Sequence, residues 1–295
     1  MSLTSKIDFA MIFKVTNANP NGDPLNGNRP RTTYDGLGEL SDVCLKRKLR
    51  NRLMEAGHSI FVQSDDNKVD EHTCLRSCAE AVLSWNKPQS EIAKKACATW
   101  FDVRALGQLF PFKPRAGKKG KDEGEDAGDD KSVSIGIRGP VTVHAAFSVS
   151  PVSVTSTQIT KSVSNEPDGK KRGSDTMGMK HRVDRGIYAF FGSMNPQLAV
   201  KTGFSDEDAA AIKAVLPRLF ENDASSARPE GSMEVLKVVW WQHDCPSGQA
   251  SSAKVHRSLT VKDTDDPASL LSFEPGKGPN DSTGNWPTPE IIDGV

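Results

Sequence analysis

The densest concentration of positive charge in the chain lies in a segment with helical spacing. Between Asp42 and Arg52, five cations stand against one acid, and leucines recur at Leu45, Leu49 and Leu53. Because that spacing puts the leucines on one face of a helix, we expect most of the cations to point outward. Neighbouring like charges repel one another, and a bound polyanion would relieve that repulsion. A solvated helix face explains the pattern about equally well. The candidate phosphate contacts are Lys46, Arg47, Lys48 and Arg50.

A loop rich in asparagine and glycine follows the first predicted strand. The asparagines and glycines of residues 19–31 (NPNGDPLNGNRPR) tolerate positive φ, and successive backbone N–H groups in such a loop can surround an anion. The spacing of a nucleotide-binding P-loop is absent. A sharp connection between strand and helix would explain the glycines and prolines, but not the paired arginines. The candidates here are Asn19, Asn21, Arg29 and Arg31.

A third cluster combines flexible apolar side chains with adjacent cations. Met177 and Met179 flank a glycine directly before three potential cations, Lys180, His181 and Arg182. Methionines beside cations could wedge against bases while the cations hold phosphates. An ordinary surface turn with packed methionines fits the same residues about as well.

The remaining reactive residues do not form a convincing catalytic or metal centre. His72, Cys74 and Cys78 share a segment with apolar helical periodicity, which favours core packing of the cysteines over zinc ligation. Three consecutive residues such as 243–245 (His, Asp, Cys) rarely converge into a nucleophilic triad. The signatures of serine hydrolases, zinc proteases and dinucleotide-binding enzymes are missing from the sequence. We therefore expect no catalytic residue, no metal and no cofactor.

Composition limits the class of protein. The 295 residues are 36% hydrophobic and 26% charged, which is typical of one globular domain with polar loops. A net charge of zero argues against a nucleic-acid binder. However, acids concentrate in residues 122–130 and 263–293, which leaves the rest of the chain basic. The start of the chain is polar, no apolar run approaches the ~20 residues that span a bilayer, and the cysteines are odd in number. We therefore expect a cytoplasmic protein with reduced thiols and no membrane contact.

The elements that would position these clusters alternate between strand and helix. Strands are predicted at 7–15, 135–147, 186–194 and 233–241, the last of these being the final strand. Helices are predicted at 42–55, 69–86, 90–101 and from Ser205, where a capping box with Asp208 precedes a kink at Pro217. This order is compatible with a βαββαβ ferredoxin-like core, which serves both RNA-binding modules and small-molecule enzymes.

Two segments interrupt that order. Residues 113–131 are dominated by glycine and by charges of both signs, a composition that excludes a hydrophobic core and predicts a flexible surface insertion. Residues 151–174 begin with valine alternating with serine or threonine and end in a polar turn, which predicts an exposed hairpin arm.

The order of these motifs resembles one family. The run NPNGDPLNGN at residues 19–28, followed by DVCLKRKLRN at 42–51, resembles the Cas7 backbone subunits of type I-C CRISPR effector complexes. Further matching motifs are DVR at 102–104, RGPV at 138–141, QITK at 158–161, DTMGMKH at 175–181 and FENDASSAR at 220–228. The resemblance runs from about residue 7 to about residue 260, and the loop followed by the basic helix is its most specific part.

The resemblance implies an α+β fold. Its centre is an RRM-like (ferredoxin-like) palm with an inserted finger-like helical region and a thumb-like β-hairpin. Residues 1–260 would form a single RNA-binding domain, with the helical and flexible insertion at about 60–131 and the thumb at about 151–180. Residues 261–295 would form a proline-rich, acidic tail. Arg138 and Lys161 join the candidate RNA contacts because they lie in matching motifs.

The resemblance also implies a non-catalytic role in antiviral defence. Members of the family oligomerise along a CRISPR RNA, kink it at regular intervals with the thumb, and present it to a target DNA strand. Base pairing then supplies the specificity, while the protein grips phosphates without reading sequence. The implied partners are the CRISPR RNA, the target DNA strand, copies of the same chain, an RNA-processing and capping subunit, a large PAM-recognising subunit and small helical subunits.

Two enzymes remain as alternatives. The wider superfamily contains metal-dependent endoribonucleases that use an aspartate after the first strand, and Asp23 and Asp35 lie in the corresponding loop. A type I relationship argues against this, because cleavage there is delegated to a recruited nuclease. A small-molecule enzyme on a ferredoxin-like core would need a convergent polar constellation, which the sequence does not offer.

Overall fold

One eight-stranded antiparallel sheet organises the chain, of which the computed structural model describes residues 1–112, 133–163, 175–280 and 283–295. The strands are β1 Ile7–Ala18, β2 Gly22–Asp23, β3 Arg29–Pro30, β4 Leu37–Leu40, β5 Gly107–Phe112, β6 Val133–Arg138, β7 Val141–Val143, β8 Ala146–Pro151, β9 Val154–Lys161, β10 Asp175–Met194, β11 Met233–Gln242, β12 Leu259–Val261, β13 Leu271–Phe273 and β14 Pro289–Asp293. The helices are α1 Asp42–Glu55, α2 Leu75–Val82, α3 Gln89–Thr99, α4 Phe101–Leu106, α5 Pro196–Thr202, α6 Asp206–Val215 and α7 Ser252–Arg257, with 3-10 turns at Pro24–Asn26 and Leu216–Arg218.

The centre of the sheet is ordered β11-β1-β10-β8, with β14 at one edge and β4 at the other. β7 and β9 also pair with β10, whose 20 residues make it long enough to serve three partners besides β1. The helices α1 and α6 pack on one face of this sheet through a shared apolar core. The structure is therefore a mixed α and β fold with a central antiparallel sheet, as predicted in outline.

β1 is central because its sequence can be buried on both faces. Phe9 and Phe13 belong to the core beneath the helices, whereas Ala10 and Ile12 belong to the core on the opposite face. A strand whose alternate residues meet two cores reads as a continuous apolar run, as IDFAMIFKV does. The predicted strand at 7–15 is confirmed, and it extends to Ala18.

The two main helices, α1 and α6, begin at residues whose side chains cap them. The Ser41 hydroxyl accepts the Cys44 N–H at 3.3 Å and so caps α1, while Ser205 and Asp208 form the predicted capping box of α6. The predicted kink at Pro217 is instead the end of the α-helix, because proline cannot supply the N–H that would continue the ladder.

The helical region differs from its prediction in its boundaries. The helix expected at 69–86 spans only Leu75–Val82. The helix expected at 90–101 is broken at Trp100, whose backbone is extended, and α4 begins at the next residue. This region has its own core around Phe61, Trp100 and Phe110, closed by the β5–β6 pair. The predicted insertion at 113–131 lies outside the described residues.

The cysteines of the helical region are largely core residues. Cys78 and Cys97 are buried there, and burial raises the pKa of both thiols to about 11. Cys74, by contrast, is exposed at the start of α2. In the described ranges, no three His, Cys, Asp or Glu side chains are grouped so that they could hold a metal ion.

The second face of the sheet is covered by the segment that follows β11. Val255, Leu259 and Leu270 pack there against Ile12 and Trp241. The prediction that residues 233–241 form the last strand is wrong, since β14 pairs with β11 along the outer edge. β14 is a short edge strand whose pairing, and not its own periodicity, defines it.

A buried carboxylate anchors this covering segment. His243 Nδ1 accepts the Gln249 N–H at 2.9 Å, so Nε2 carries the proton that it donates to Asp8 over 3.0 Å. Burial on its own would raise the pKa of Asp8, but hydrogen bonds from His243 and His256 and the charge of Lys6 hold it well below its usual range. His243 therefore has a structural partner, as expected for a residue outside any nucleophilic triad.

None of the helices described is both long and apolar enough to cross a membrane.

Candidate nucleic-acid interface

The asparagine-rich loop and the hairpin arm leave the sheet at the same end. Near the end of β1, Thr16 pairs with Arg185 and Ala18 pairs with Val183 of β10. The loop begins one residue later at Asn19, while β10 pairs with β9 from Val183 toward Asp175. Two clusters that are far apart in the sequence are therefore neighbours in the fold.

The loop owes its shape to its asparagines. Asn19 is buried, its Nδ2 donates to the Asn28 carbonyl at 2.7 Å, and its N–H donates to the Ala227 carbonyl at 2.8 Å. The Asn21 side-chain oxygen accepts both the N–H and the hydroxyl of Ser41, each at 3.0 Å. Asn19 closes the loop, and Asn21 holds the N-terminal cap of α1. Their predicted RNA contacts stay a prediction.

The paired arginines of the loop are differently placed. Arg29 is exposed and makes no ion pair within the described ranges. Arg31 is partly exposed, and its guanidinium lies 3.4 Å from the Asp23 carboxylate, which also accepts the Leu25 N–H. Arg29 is therefore the cation of this loop that is most available to a phosphate.

The prediction that most cations of α1 point outward is wrong. Lys48 is only 1% exposed and pairs with Asp223, and Arg52 is buried beside Glu55. Burial lowers the pKa of Lys48, and the nearby Asp223 carboxylate opposes that shift. The leucine stripe is buried as predicted, but α1 also meets the segment at 220–228, which brings an acid to a second side of the helix.

The other cations of α1 are partly exposed or paired. Arg50 donates to the buried Asp102 at 2.8 Å, Lys46 pairs with Asp42 at 2.8 Å, and Arg47 lies 3.5 Å from Asp223. Of these three, Arg47 has the most exposed side chain, at 37%. The Arg50–Asp102 and Arg47–Asp223 pairs could not be predicted from the sequence, because both acids are far from α1 along the chain.

The DVR motif at 102–104 joins the helical region to α1 and α6. Asp102 accepts the N–H groups of Phe61 and Val62 at 2.7 and 3.1 Å, in addition to Arg50. Arg104 donates two hydrogen bonds to Asp208 at 2.9 and 2.7 Å. Asp102 and Arg104 therefore stabilise the packing of these elements against one another.

We expect Arg50→Ala to lower the free energy of unfolding by about 2 kcal/mol, because Asp102 would keep its charge and its two backbone donors but lose its cation. Urea unfolding measures this change. As a control, Lys87→Ala, which breaks an exposed pair with Glu91, should cost less than about 0.5 kcal/mol. A wild-type unfolding midpoint combined with weakened RNA binding would show that Arg50 contacts RNA instead.

The hairpin arm has two faces of different chemistry. β10 pairs with β9 so that Lys180 lies opposite Thr157 and Arg182 opposite Thr155. Since alternate residues share a face, Lys161 lies on this side as well. We call the side formed by Lys161, Lys180 and Arg182 the cationic face.

The opposite side, which we call the methionine face, is formed by Met177 and Met179 opposite Thr160 and Gln158. The two methionines are 73% and 55% exposed, so they are not the packed side chains of an ordinary turn. The same side ends in His181, which is buried at the base of the arm with Nδ1 2.8 Å from the Ser156 hydroxyl. His181 was expected beside exposed cations, and it is instead enclosed.

The structure does not gather all the predicted contacts. Arg138 is exposed at the end of β6, on the β5–β6 pair of the helical region and not on the loop, α1 or the arm. Two residues that sequence reasoning missed do lie near the loop. Asp223 binds Arg228 at 3.0 Å as well as Lys48, and both lie in the segment that bonds to Asn19. Their only signal was the FENDASSAR motif, which carries no local chemistry.

Most aromatic side chains of the sheet are buried, and the one exposed ring on its described strands is Phe147 of β8, at 42%. Tyr188 and Phe190, which alternate onto one side of β10, are buried in the core beneath the helices, so core packing explains them. The opposite side of the sheet is covered by the segment around α7. The exposed cations of the loop and the arm, at the end of the sheet, are therefore better placed for an anion than the covered centre of the sheet's faces.

Comparisons with known proteins agree on one family. A family model described as "CRISPR-associated protein Cas7" matches residues 5–275. The chain is similar to CRISPR-associated protein Cas7 of Haloferax volcanii, with 25% identity over 245 residues, covering 81% of this chain and 71% of that one.

Two solved structures are more distantly similar. A chain of "CRISPR RNA-guided surveillance complex, pre-nicking" has 16% identity and a TM-score of 0.46, covering 85% of this chain and 81% of that one. A chain of "CRISPR RNA-guided surveillance complex" has 17% identity and a TM-score of 0.47, covering 88% and 77%. Because the family model spans most of the sequence, the chain belongs to the Cas7 family of CRISPR-associated proteins.

Proposed function

We propose that this chain is a non-catalytic backbone subunit of a type I-C CRISPR effector complex in the cytoplasm. It binds CRISPR RNA, oligomerises along it, kinks it at regular intervals and presents it to a target DNA strand. The observation that carries the proposal is the meeting of the asparagine-rich loop with a two-faced hairpin arm at one end of the sheet, in a Cas7 chain.

The palm of this subunit is RRM-like. The strand order β11-β1-β10-β8, with α1 and α6 on one face, supports this assignment. The helical region with its separate core corresponds to the fingers, and the β9–β10 arm corresponds to the thumb. Because both faces of the sheet are covered, RNA runs across the end of the palm and not over its strands.

The two faces of the arm contact different parts of the RNA. The cationic face, together with Arg29, neutralises phosphates, which positions the strand without reading its sequence. The exposed methionines on the opposite face wedge against bases, at a cost of a few kcal/mol per unstacked step. From α1 only the partly exposed Lys46 and Arg47 take part, since Lys48 and Arg50 are committed to Asp223 and Asp102.

The partners are inferred from membership of the Cas7 family. The CRISPR RNA and further copies of this chain contact the interface directly, and the target DNA strand is reached through the guide. An RNA-processing and capping subunit, a large PAM-recognising subunit and small helical subunits complete the assembly. Acids on one copy could dock against cations of the next, which reconciles a net charge of zero with RNA binding.

The purified chain, titrated with labelled CRISPR RNA at several salt concentrations, tests this function. We expect a ladder of successive bound copies and an affinity that falls with salt by a slope of about 0.7 per phosphate contacted on a single strand. Arg29→Ala/Arg31→Ala should flatten that slope by about one, because Arg29 is free and Arg31 is shared with Asp23. RNAs of scrambled guide sequence should bind equally well.

Absence of RNA binding, or binding that salt and both arginine substitutions leave unchanged, would overturn the proposed interface. The non-catalytic assignment has a separate check. A guide-matched RNA incubated with the chain and Mg²⁺ should stay intact, and cleavage that Asp23→Ala or Asp35→Ala abolishes would show an endoribonuclease.

A further inference from the structure

Among the described residues, one aromatic side chain is far more exposed than any other. Tyr34 is fully exposed, whereas the chain's other tyrosine, Tyr188, is fully buried. A ring in water adds nothing to the apolar burial that stabilises a fold. Its exposure therefore needs a reason other than packing.

The turn that carries Tyr34 is built by hydrogen bonds. Gly36 N–H donates to the Thr33 carbonyl at 3.1 Å, and Thr33 N–H donates to the Leu37 carbonyl at 2.8 Å. The Thr33 hydroxyl accepts the Leu37 N–H at 3.2 Å, and Gly36 has the positive φ of 79° that this turn requires. The backbone beneath the ring is thus ordered before any ligand arrives, which reduces the entropy lost on binding.

The turn stands at the base of the hairpin arm. Val152 N–H donates to the Gly36 carbonyl at 3.0 Å, and Leu37 pairs with Pro151 immediately before β9 begins. The chain leading into the turn carries Arg29 and Arg31, and the Arg31 carbonyl accepts the Glu39 N–H at 2.9 Å. The exposed Tyr34 ring therefore lies in the same short segment as Arg29 and Arg31, next to the hairpin arm that we assign to RNA binding.

This combination of groups fits a single-stranded nucleic acid. Aromatic rings beside cations bind such strands because every base has a π-face and every linkage has a phosphate, so no sequence needs to be read. Asp35, exposed next to the ring, repels a phosphate at the tip of the turn. The phosphate is therefore favoured on the arginine side and the base at the ring.

We propose that the Tyr34 ring stacks on an unpaired base of the single strand whose phosphates Arg29 and Arg31 contact. The inference rests on the proposed function and adds an aromatic stacking contact to the phosphate contacts of the cations and the wedging of bases by the methionine face. It requires no specific base, and it predicts that the ring and not the hydroxyl is needed.

Binding of short single-stranded RNA by Tyr34→Ala and Tyr34→Phe tests the stacking contact. Because one base–aromatic stack is worth a factor of roughly 5 to 150 in affinity, we expect Tyr34→Ala to bind about 10-fold more weakly. Tyr34→Phe should stay within about 2-fold of wild type. The salt slope should not change in either variant, since no counterion-releasing contact is lost.

Photo-crosslinking with RNA that contains 5-iodouridine supplies a second readout. We expect the crosslinked peptide to include Tyr34, while the buried Tyr188 stays unmodified and serves as the internal control. The urea midpoint of Tyr34→Ala should match wild type, because the ring is not packed against the fold.

The outcomes separate this inference from the proposed function. If wild type binds RNA with a steep salt slope but Tyr34→Ala binds equally well, the stacking contact is overturned and the function stands. If wild type does not bind RNA, the function fails, and the stacking contact fails with it. If Tyr34→Ala weakens only the ladder on long RNA and not the binding of one copy to a short oligonucleotide, the ring contacts a second copy and the inference is overturned.

Discussion

Asp223→Ala should lower the free energy of unfolding by about 3–5 kcal/mol, the cost of leaving a buried charge without its partner. The side chain of Lys48 is fully buried, and its ammonium group has the Asp223 carboxylate on one side and the Phe220 ring at 5.5 Å on another. With Asp223 removed, that ammonium would be left against the Phe220 ring and near the like charge of Arg228. A loss of this size is a large share of the ~5–15 kcal/mol that stabilises a typical protein.

The stability lost in Asp223→Ala should become smaller as the pH rises. Burial already lowers the pKa of Lys48, and removing the carboxylate that opposes this shift lowers it further. The unfolded chain then binds more protons than the folded chain between the folded pKa of Lys48 and its unfolded value of about 10.4, so stability rises with pH in that window. The deficit relative to wild type should therefore shrink as the pH rises toward 10.

Two variants make the Asp223 measurement specific. Glu221→Ala removes an acid two residues away, whose pair with Arg218 is exposed and 3.7 Å long, and should cost less than about 0.5 kcal/mol. Lys48→Met together with Asp223→Ala removes both charges and should recover much of the lost stability, since an apolar pair can replace a buried ion pair. If the urea midpoints of Asp223→Ala and Glu221→Ala coincide, the Lys48–Asp223 pair does not support the fold.

The sequence predicted the elements whose signals are local. β1 was visible as an apolar run, α1 as a segment with leucines at helical spacing, and α6 as a periodic segment that begins with a capping box at Ser205. The edge strand β14 was missed because five residues with one isoleucine pair have no period of their own. Its place is fixed by its pairing with β11, which only the folded chain reveals.

The candidate site was predictable as a set of segments but not as a set of side chains. The loop and the arm were both identified, yet the roles of Asn19 and Asn21 in closing the loop and capping α1 depend on Asn28, Ala227 and Ser41. The orientation of the α1 cations depends on acids contributed from remote segments. Periodicity shows which side of a helix is apolar, but it does not show which acids will meet the other sides.

Lys161→Ala/Lys180→Ala/Arg182→Ala should weaken the binding of CRISPR RNA on the order of 100-fold at low salt, because hydrogen bonds to charged groups contribute about 1.5–3 kcal/mol each and some are shared with water. The salt slope should fall by about two, given about 0.7 per phosphate on a single strand. The stability of the chain should change little, since Lys161 and Lys180 are exposed and Arg182 has only a 3.6 Å pair with Asp184.

A matched variant separates the position of these charges from their number. Lys94→Ala/Lys95→Ala/Lys201→Ala also removes three exposed cations, but from α3 and α5, and should change the affinity for RNA by less than about 3-fold. Equal losses from the two triple variants would mean that net charge, and not the cationic face, governs binding.

The methionine face provides the complementary measurement. Met177→Ser/Met179→Ser removes apolar side chains without removing charge, so the salt slope should equal that of wild type. If the arm wedges bases apart, a fluorescent base analogue in the RNA should brighten with wild type and with the cationic-face variant at saturating protein, but not with the serine variant. If the serine variant brightens the analogue as wild type does, the methionines do not separate bases, and the arm holds RNA through its charges alone.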